Sequence, residues 1–267
     1  MFKNAKRKEA LETVEQLKER YELTGGDDLQ WFLGIEVLRD RQRRLIWLSQ
    51  SSYIDKIASL AQSRPSARSP MTKKELLPFD AIATTHETTD YLRKVGSLLY
   101  AAVITRPDIA FAASRLARFM TNPGPEHQKA ADRVLCYLSQ TSTLALQLGG
   151  ANDLRIAGDA SHADNTLDRK SSQGYAIKFF GGLIAWRANK QDTVMTSTTE
   201  AELLSLSQAA KEGLYVSRML KDLGIELDAP CTTIECDNKQ TIRLVTEELA
   251  KLKTSLRHVD IHNHWLR

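Results

Sequence analysis

The sequence predicts a chain of the α+β / α/β class, and three observations predict it. Residues 154–160, 174–180, 183–188 and 193–196 read as strands; a long helical pattern over 199–223, stopped by Gly224, a strand over 232–236 and a helix over 239–248 follow. That order describes a mixed sheet with helices on its faces. Residues 90–141 hold three helical patterns, two of them opened by Pro107 and Pro125 at the first helical position. Between the halves, the stretch 143–155 carries Gly149-Gly150 and Asn152-Asp153, the composition of a domain junction.

Each element has its local reason. Residues 5–20 place Leu11, Val14 and Leu17 at helical spacing on a charged background, an amphipathic surface helix. W-F-L-G-I-E-V and R-L-I-W-L-S-Q read as the two strands of a hairpin joined by the polar turn Arg39–Arg44. Ser51 or Ser52 caps a short helix through Ala61. Residues 63–90, with three prolines and little periodicity, read as a surface loop. Helices are expected over 90–104, 107–121 and 125–141, and a last helical piece from about residue 255. The resulting units are 1–62, 63–150 and 151–267.

Composition narrows the function classes. At 267 residues and 42% hydrophobic content the chain is long enough for two cores, and 26% charged residues is ordinary for a folded protein. A net charge of +4 and a pI near 8.9 suit a polyanionic partner without specifying one. Three cysteines without a C-x-x-C argue against a disulfide framework and for a reducing compartment, so an intracellular, cytoplasmic or nuclear location is expected. Residues 1–20 lack the apolar core of a secretory signal, and no apolar stretch approaches the roughly 18 residues needed to cross a bilayer. No membrane partner is expected.

The chemistry is concentrated in three acids. Asp159 lies in L-R-I-A-G-D-A-S at the end of a strand pattern, Glu202 in S-T-T-E-A-E-L-L-S-L in the first turn of the long helix, and Asp237 in T-T-I-E-C-D-N-K-Q-T between a short strand and a helix. A single aspartate at a strand end is ordinarily a cap or turn residue. Three acids on three elements, however, can converge above one sheet and hold two Mg2+ ions (Mn2+ is the alternative). One ion would activate water and the other stabilise the leaving oxygen of a phosphodiester. Gly158, Ala160 and Ser161 leave room for a polymer backbone beside Asp159. Glu200 rivals Glu202, but a helix separates the two by about 200°, so only one is expected to face the sheet. With Leu203 and Leu206 as core positions, that one is Glu202. Asp164 and Asp168 read as solvated loop acids.

Other clusters carry less. Arg169 and Lys170, with Lys190, form a modest basic group: a solvated turn on the plain reading, phosphate contacts for nucleic acid on the functional one. Cys231, Cys236, His258 and His262 have the residue types of a zinc finger but not its spacing. His262-Asn263-His264 lacks the ββα context of a metal nuclease and reads as a helix face. Trp31, Trp47, Trp186 and Trp265 are scattered, which favours packing or edge roles over base stacking.

These residues also carry a resemblance. G-D-A-S-H-A-D-N, R-K-S-S-Q-G-Y-A-I-K-F-F-G-G-L-I-A-W-R-A-N-K-Q, T-S-T-T-E-A-E-L-L-S-L-S-Q-A-A-K-E, C-D-N-K-Q-T-I and L-R-H-V-D-I-H-N-H-W-L-R, in that order, resemble the ribonuclease H domain of copia-type LTR retrotransposon polyproteins. The first half is similar to the reverse transcriptase segment that precedes it. W-F-L-G-I-E-V resembles the primer-grip hairpin, and Y-L-R-K-V-G-S-L-L-Y through A-D-R-V-L-C-Y-L the thumb and connection. The resemblance implies a palm remnant in 1–62, thumb and connection helices in 63–150, and a ribonuclease H-like domain in 151–267.

It also implies limits. The family's Y-x-D-D polymerase hairpin is absent, and Gly26-Asp27-Asp28 falls where the family has a polar turn, so DNA synthesis is not expected. The family's fourth acid, from an A-D dipeptide, belongs to a helix after a further strand, beyond Arg267; Asp260 reads as a surface or capping acid. The resemblance therefore implies Asp159, Glu202 and Asp237 as three of four metal ligands. The domain is expected to lack its last strand and helix. Its partner is an RNA–DNA hybrid, with upstream and downstream polyprotein segments completing the intact element. Weak or absent cleavage of the RNA strand is expected. The alternatives are a non-catalytic nucleic-acid-binding remnant, a domesticated interaction module, or an unstable fragment.

Overall fold

The computed structural model describes residues 4–22, 28–150, 153–225, 227, 232–247 and 266. Among them, seven α-helices and two four-stranded sheets form an α+β fold. Helix α1 (Asn4–Lys18) leaves Leu11, Val14 and Leu17 exposed. The first sheet follows, with strands β1 (Trp31–Phe32), β2 (Ile35–Asp40), β3 (Leu45–Ser49) and β4 (Leu146–Leu148) side by side and antiparallel.

Two expectations change in this sheet. W-F-L-G-I-E-V is not one strand: Phe32 pairs with Ile35, and Leu33 and Gly34 turn with φ of 51° and 79°. Two successive positive φ values match the twist of a tight hairpin, and a glycine at the second position makes them accessible. The next strand then runs on through Arg39 and Asp40, leaving 41–44 as the turn. The 143–155 stretch is also more than a connection, because Leu146–Leu148 pair with Ile46–Leu48. A three-residue strand is too short to announce itself by periodicity; it forms because β3 offers an open edge.

Helices α2 (Ser51–Ala58), α3 (Thr85–Ile104), α4 (Ala110–Ala117) and α5 (Pro125–Gln140) enclose one core, centred on Ile54, Tyr91, Leu98, Leu116, Leu135 and Leu138. Helix α3 starts well before residue 90, because Thr84 and Glu87 form a capping box. The Thr84 hydroxyl accepts from Glu87 N (3.2 Å), and the Glu87 carboxylate accepts from Thr84 N (2.8 Å). The pattern read over 107–121 resolves into a 3-10 turn at Pro107–Ile109 and then α4. The preceding segment is strapped down rather than free: Ser63 N donates to Asp132 (2.9 Å), Ala67 is buried, and the Leu77 carbonyl lies 2.9 Å from His127 Nε2.

The second sheet has the order β7-β6-β5-β8, from β5 (Arg155–Ser161), β6 (Ser172–Phe179), β7 (Gly182–Lys190) and β8 (Thr233–Glu235). Only β8 runs parallel, against β5. Helix α6 (Thr198–Asp222) packs on β5 and β6 over a core of Ile156, Ile177, Phe179, Ala209, Val216 and Leu220. Gly224, at φ 68°, ends it in a Schellman arrangement, with Ile225 N bonded to Leu220 O and Gly224 N to Lys221 O, both 2.9 Å. Helix α7 is Lys239–Thr246. The strand expected over 193–196 is absent: the Thr196 N–H and hydroxyl donate to Glu200 and so serve the start of α6 rather than a ladder. The helical piece from 255, Gly26-Asp27, Cys231, Asp260, the histidines from 258 to 264 and Trp265 lie outside the described residues.

The two sheets meet through backbone contact. Gly149 N donates to Phe180 O; separately, the Trp186 side chain ties the second sheet to α3, its Nε1 donating to Ala102 O (2.7 Å). A Cβ on Gly182 would overlap the Gln147 carbonyl. Gly182→Ala is therefore expected to destabilise the protein by about 1–3 kcal/mol, the usual cost of overpacking, in a thermal or urea melt. An unchanged melt would mean that β4 and β7 can separate freely.

Candidate metal centre

Glu202 is brought to the sheet by the way α6 is seated. Ser197 caps the helix, accepting from Glu200 N (3.2 Å). Ser205 Oγ, on the same side of the helix, lies 2.8 Å from Asp159 O and 3.2 Å from Gly174 O, within hydrogen-bond reach of both. Gln191 Nε2 donates to Ala201 O (3.0 Å), and Thr199 Oγ1 to Gln240 Oε1 on α7 (2.9 Å). The start of α6 is thus held by β5, β6 and α7 together. Glu202 lies one residue into the second turn, not in the first.

Asp159 and Asp237 arrive by register. Ala157 pairs with Glu235 in the parallel β5–β8 ladder, and each aspartate lies two residues further along its chain. Asn238 follows as the cap of α7, accepting from Thr241 N (3.0 Å). Asp159 and Asp237 are exposed, whereas Glu202 is only 7% exposed and its Oε2 has no hydrogen-bond partner. Burial, then the negative charge of Asp159 and Asp237, push the Glu202 carboxyl up to about 7, against one backbone hydrogen bond from Ala160. Donor atoms of Glu202, Cys236 and Asp237 all lie within 4.8 Å of one another. Asp159 contributes charge from outside that compact set. A buried carboxylate oxygen without a donor, beside two more acids, can be satisfied by a cation; the two carboxylates of the compact set fit Mg2+ or Mn2+, and its third donor is the Cys236 sulfur.

Glu200, the rival of Glu202, stands outside the compact set of donor atoms. It too is buried, but its carboxylate folds back over the helix start to accept from Thr196 Oγ1 (2.8 Å). Asp164 and Asp168 are not solvated loop acids. Asp164 accepts from Ser172 N (2.7 Å) and Oγ (2.8 Å) and pairs with Arg115 (3.3 Å). Asp168 pairs with Lys190 (2.7 Å), and that hydrogen bond holds its carboxyl below the usual range. The loop between Ser161 and Ser172 uses its own carboxylates to satisfy nearby backbone donors, Lys170 N and Ser172 N.

Of the basic group, Lys190 is thus already committed to Asp168; Arg169 is exposed at φ 56°, and Lys170 half-buried beside it. All three sit at the end of the second sheet where β5 finishes, as do the acids. Cys236, whose spacing in sequence fits no zinc finger, stands beside Glu202 and Asp237. Its neighbour Asp237 in C-D-N was the one available hint that its sulfur also lies by the acids. Trp31 is exposed, and Trp47 Nε1 donates to Gln147 Oε1 (3.0 Å) across β3 and β4. Among the described residues, no helix is long and apolar enough to cross a membrane.

Comparison with known proteins finds relatives among transposon polyproteins and also an effector protein. The chain is 35% identical over 248 residues to the retrovirus-related Pol polyprotein from transposon TNT 1-94 of Nicotiana tabacum, covering 89% of this chain and 18% of that protein. It is 33% identical over 260 residues to the Pol polyprotein from transposon RE2 of Arabidopsis thaliana, covering 96% and 17%. The chain thus spans under a fifth of the length of these relatives. A third relative, the secreted RxLR effector protein 161 of Plasmopara viticola, is 40% identical over 129 residues, 48% of this chain and 91% of that protein. No protein-family profile and no solved structure matches. Near-complete coverage by several transposon polyproteins decides the kinship: the chain belongs to the retrovirus-related Pol polyproteins of copia-type transposons.

Proposed function

We propose that residues 151–267 are a ribonuclease H-like unit that cleaves the RNA strand of an RNA–DNA hybrid, and that 1–62 and 63–150 are a reverse transcriptase palm remnant and its thumb and connection helices. The observation that supports this best is the partnerless, buried Glu202 Oε2 beside Asp237 and within the field of Asp159. Asp159, Glu202 and Asp237 would hold the divalent ions. Bound there, such ions supply a hydroxide nucleophile and stabilise the leaving oxygen. The chain's own residues do the rest. The α6 seat fixes Glu202, the β5–β8 register fixes the two aspartates, and small residues beside Asp159 let a backbone approach. Arg169 and Lys170 hold phosphates, while discrimination for RNA requires contact with the 2′-hydroxyl.

Three acids, one of them half-protonated near neutrality, hold metal weakly, so turnover is expected to be slow. With end-labelled hybrid and millimolar Mg2+ or Mn2+, slow cutting of the RNA strand alone is expected, and Asp237→Asn should lower it about 100-fold or more, in line with loss of a metal-binding group. Cutting that survives Asp237→Asn would defeat the assignment. Rapid cutting would defeat only the expectation of slowness. A second reading is a non-catalytic interaction module. One observation favours it: a separately named effector protein corresponds to about half of this chain. Hybrid binding that falls steeply with salt, with no cutting under any metal, would select it.

A further inference from the structure

Away from the carboxylates, α4 and the loop joining β5 to β6 enclose a cavity of about 250 Å3. Its apolar wall is Leu76, Pro78, Phe79 and Phe119; its polar wall includes Arg115, Arg118 and Lys190. The polar groups can be accounted for one by one. Lys190 is paired with Asp168 at 2.7 Å. Arg115 is paired with Asp164 at 3.3 Å and stands 5.7 Å from the Phe111 ring. Asn122 is spent on the Phe79 and Ala81 carbonyls and on Ala83 N. Asn165 donates to Asp168, and Glu75 nearby accepts from Thr166 N. Arg118 alone of the three cations makes no hydrogen bond or ion pair among the described residues.

That guanidinium is half-buried, with Arg115 as its like-charged neighbour. Burial and Arg115 both act against its charge, and Asp164 and Asp168 compensate only in part. Three cations are matched in number by Asp164, Asp168 and Glu75, but Glu75 is spent on Thr166 and Arg115, so Arg118 keeps an unused five-donor fork. The backbone beneath it is rigid: Leu116 is fully buried, and its carbonyl accepts from the Tyr91 hydroxyl (2.8 Å). A partly desolvated arginine with no acceptor, carried on a fixed backbone, is arranged for an anion that arrives from outside.

We propose that this cleft binds a phosphate group, with Arg118 as its principal ligand, and that the group is a backbone phosphodiester of nucleic acid. The polymer rather than the free ion is favoured by position. Ser172 pairs with Lys190 on one side and Ser161 on the other, so the cleft opens at the same end of the sheet as Asp159. A strand lying in the cleft therefore leads toward the acids. This extends the cleavage reading above by naming where the hybrid is anchored, but its test does not depend on cleavage.

The test uses the full chain carrying Asp237→Asn, so that any hybrid stays intact, and fluorescence anisotropy of a labelled RNA–DNA hybrid against salt. Arg118→Gln is expected to weaken binding about tenfold at roughly 0.1 M salt and to reduce the slope of log affinity against log salt by about one phosphate. Arg118→Lys should keep the slope while losing part of the affinity. A parallel arm measures the melting shift produced by inorganic phosphate. A phosphate shift lost in Arg118→Gln, with hybrid binding unchanged, would overturn the polymer as ligand and leave a free-phosphate site. Neither arm responding to Arg118→Gln, with the variant melting normally, overturns the site altogether. Absence of cleavage by the unmodified chain would count against the nuclease reading alone.

Discussion

Glu202→Gln is expected to make the metal-free protein more stable above neutral pH while abolishing its stabilisation by divalent metal. The folded Glu202 carboxyl titrates at about 7, raised from an ordinary value of 4.5 by burial and by Asp159 and Asp237. A raised value means that the protonated form is the one the fold tolerates. The stability it contributes is complete below the ordinary value and is lost as pH climbs through about 7. At roughly 1.4 kcal/mol per pKa unit, the loss amounts to about 2–3 kcal/mol between mildly acidic and mildly alkaline solution. Glutamine keeps the neutral state at every pH, so the slope should flatten. It also removes a charged ligand, so the roughly 2.7 kcal/mol that metal supplies at a hundredfold excess over its dissociation constant should vanish. Melts in chelator and in Mg2+, at about pH 5 and about pH 8, measure both effects. An unchanged pH slope in the variant would show that Glu202 is not an uncompensated buried acid.

Asp132→Ala is expected to cost about 3–5 kcal/mol, enough to threaten the helical half of the fold. The Lys94 ammonium is completely buried between Asp132 (2.9 Å) and Asp90 (3.0 Å), with Gln128 Oε1 at 3.1 Å. The second oxygen of Asp132 accepts from Gln62 N (3.1 Å), Ser63 N (2.9 Å) and Ser63 Oγ (3.0 Å). Alanine would leave the cation with one partly exposed carboxylate and the Gln128 amide, and release the start of the strap that crosses the helices. Urea unfolding gives the size. Replacing Lys94 by Met in the same variant should recover part of the loss, since the stranded charge is then gone. A loss below about 1 kcal/mol for Asp132→Ala would mean that the pair contributes geometry rather than stability.

How much was legible differs by element. Helix α5 and helix α6 were readable within a residue or two, because Pro125 and Gly224 mark ends that local backbone chemistry enforces. The three strands before α6 were readable from their lengths and turns. The start of helix α3 is obscured in sequence, although Thr84 and Glu87 spell its cap, because the proline-containing stretch upstream has little periodicity. The split at Leu33-Gly34 was missed because an apolar turn residue hides inside an apolar run.

The amino-acid sequence by itself determined the α+β class, the order of most elements, the kinship with copia-type polyproteins, and three acids on three separate elements. All of these follow from short-range patterns or long ordered motifs. Only the tertiary structure decided which polar groups are satisfied. It paired Lys190 with Asp168, turned Glu200 back on the start of its own helix, joined Leu146–Leu148 to a strand 100 residues earlier, and left Glu202 Oε2 without a donor and Arg118 without an acceptor. Satisfaction of a buried polar atom depends on which distant segments packing brings within about 3 Å, and no local pattern encodes that distance.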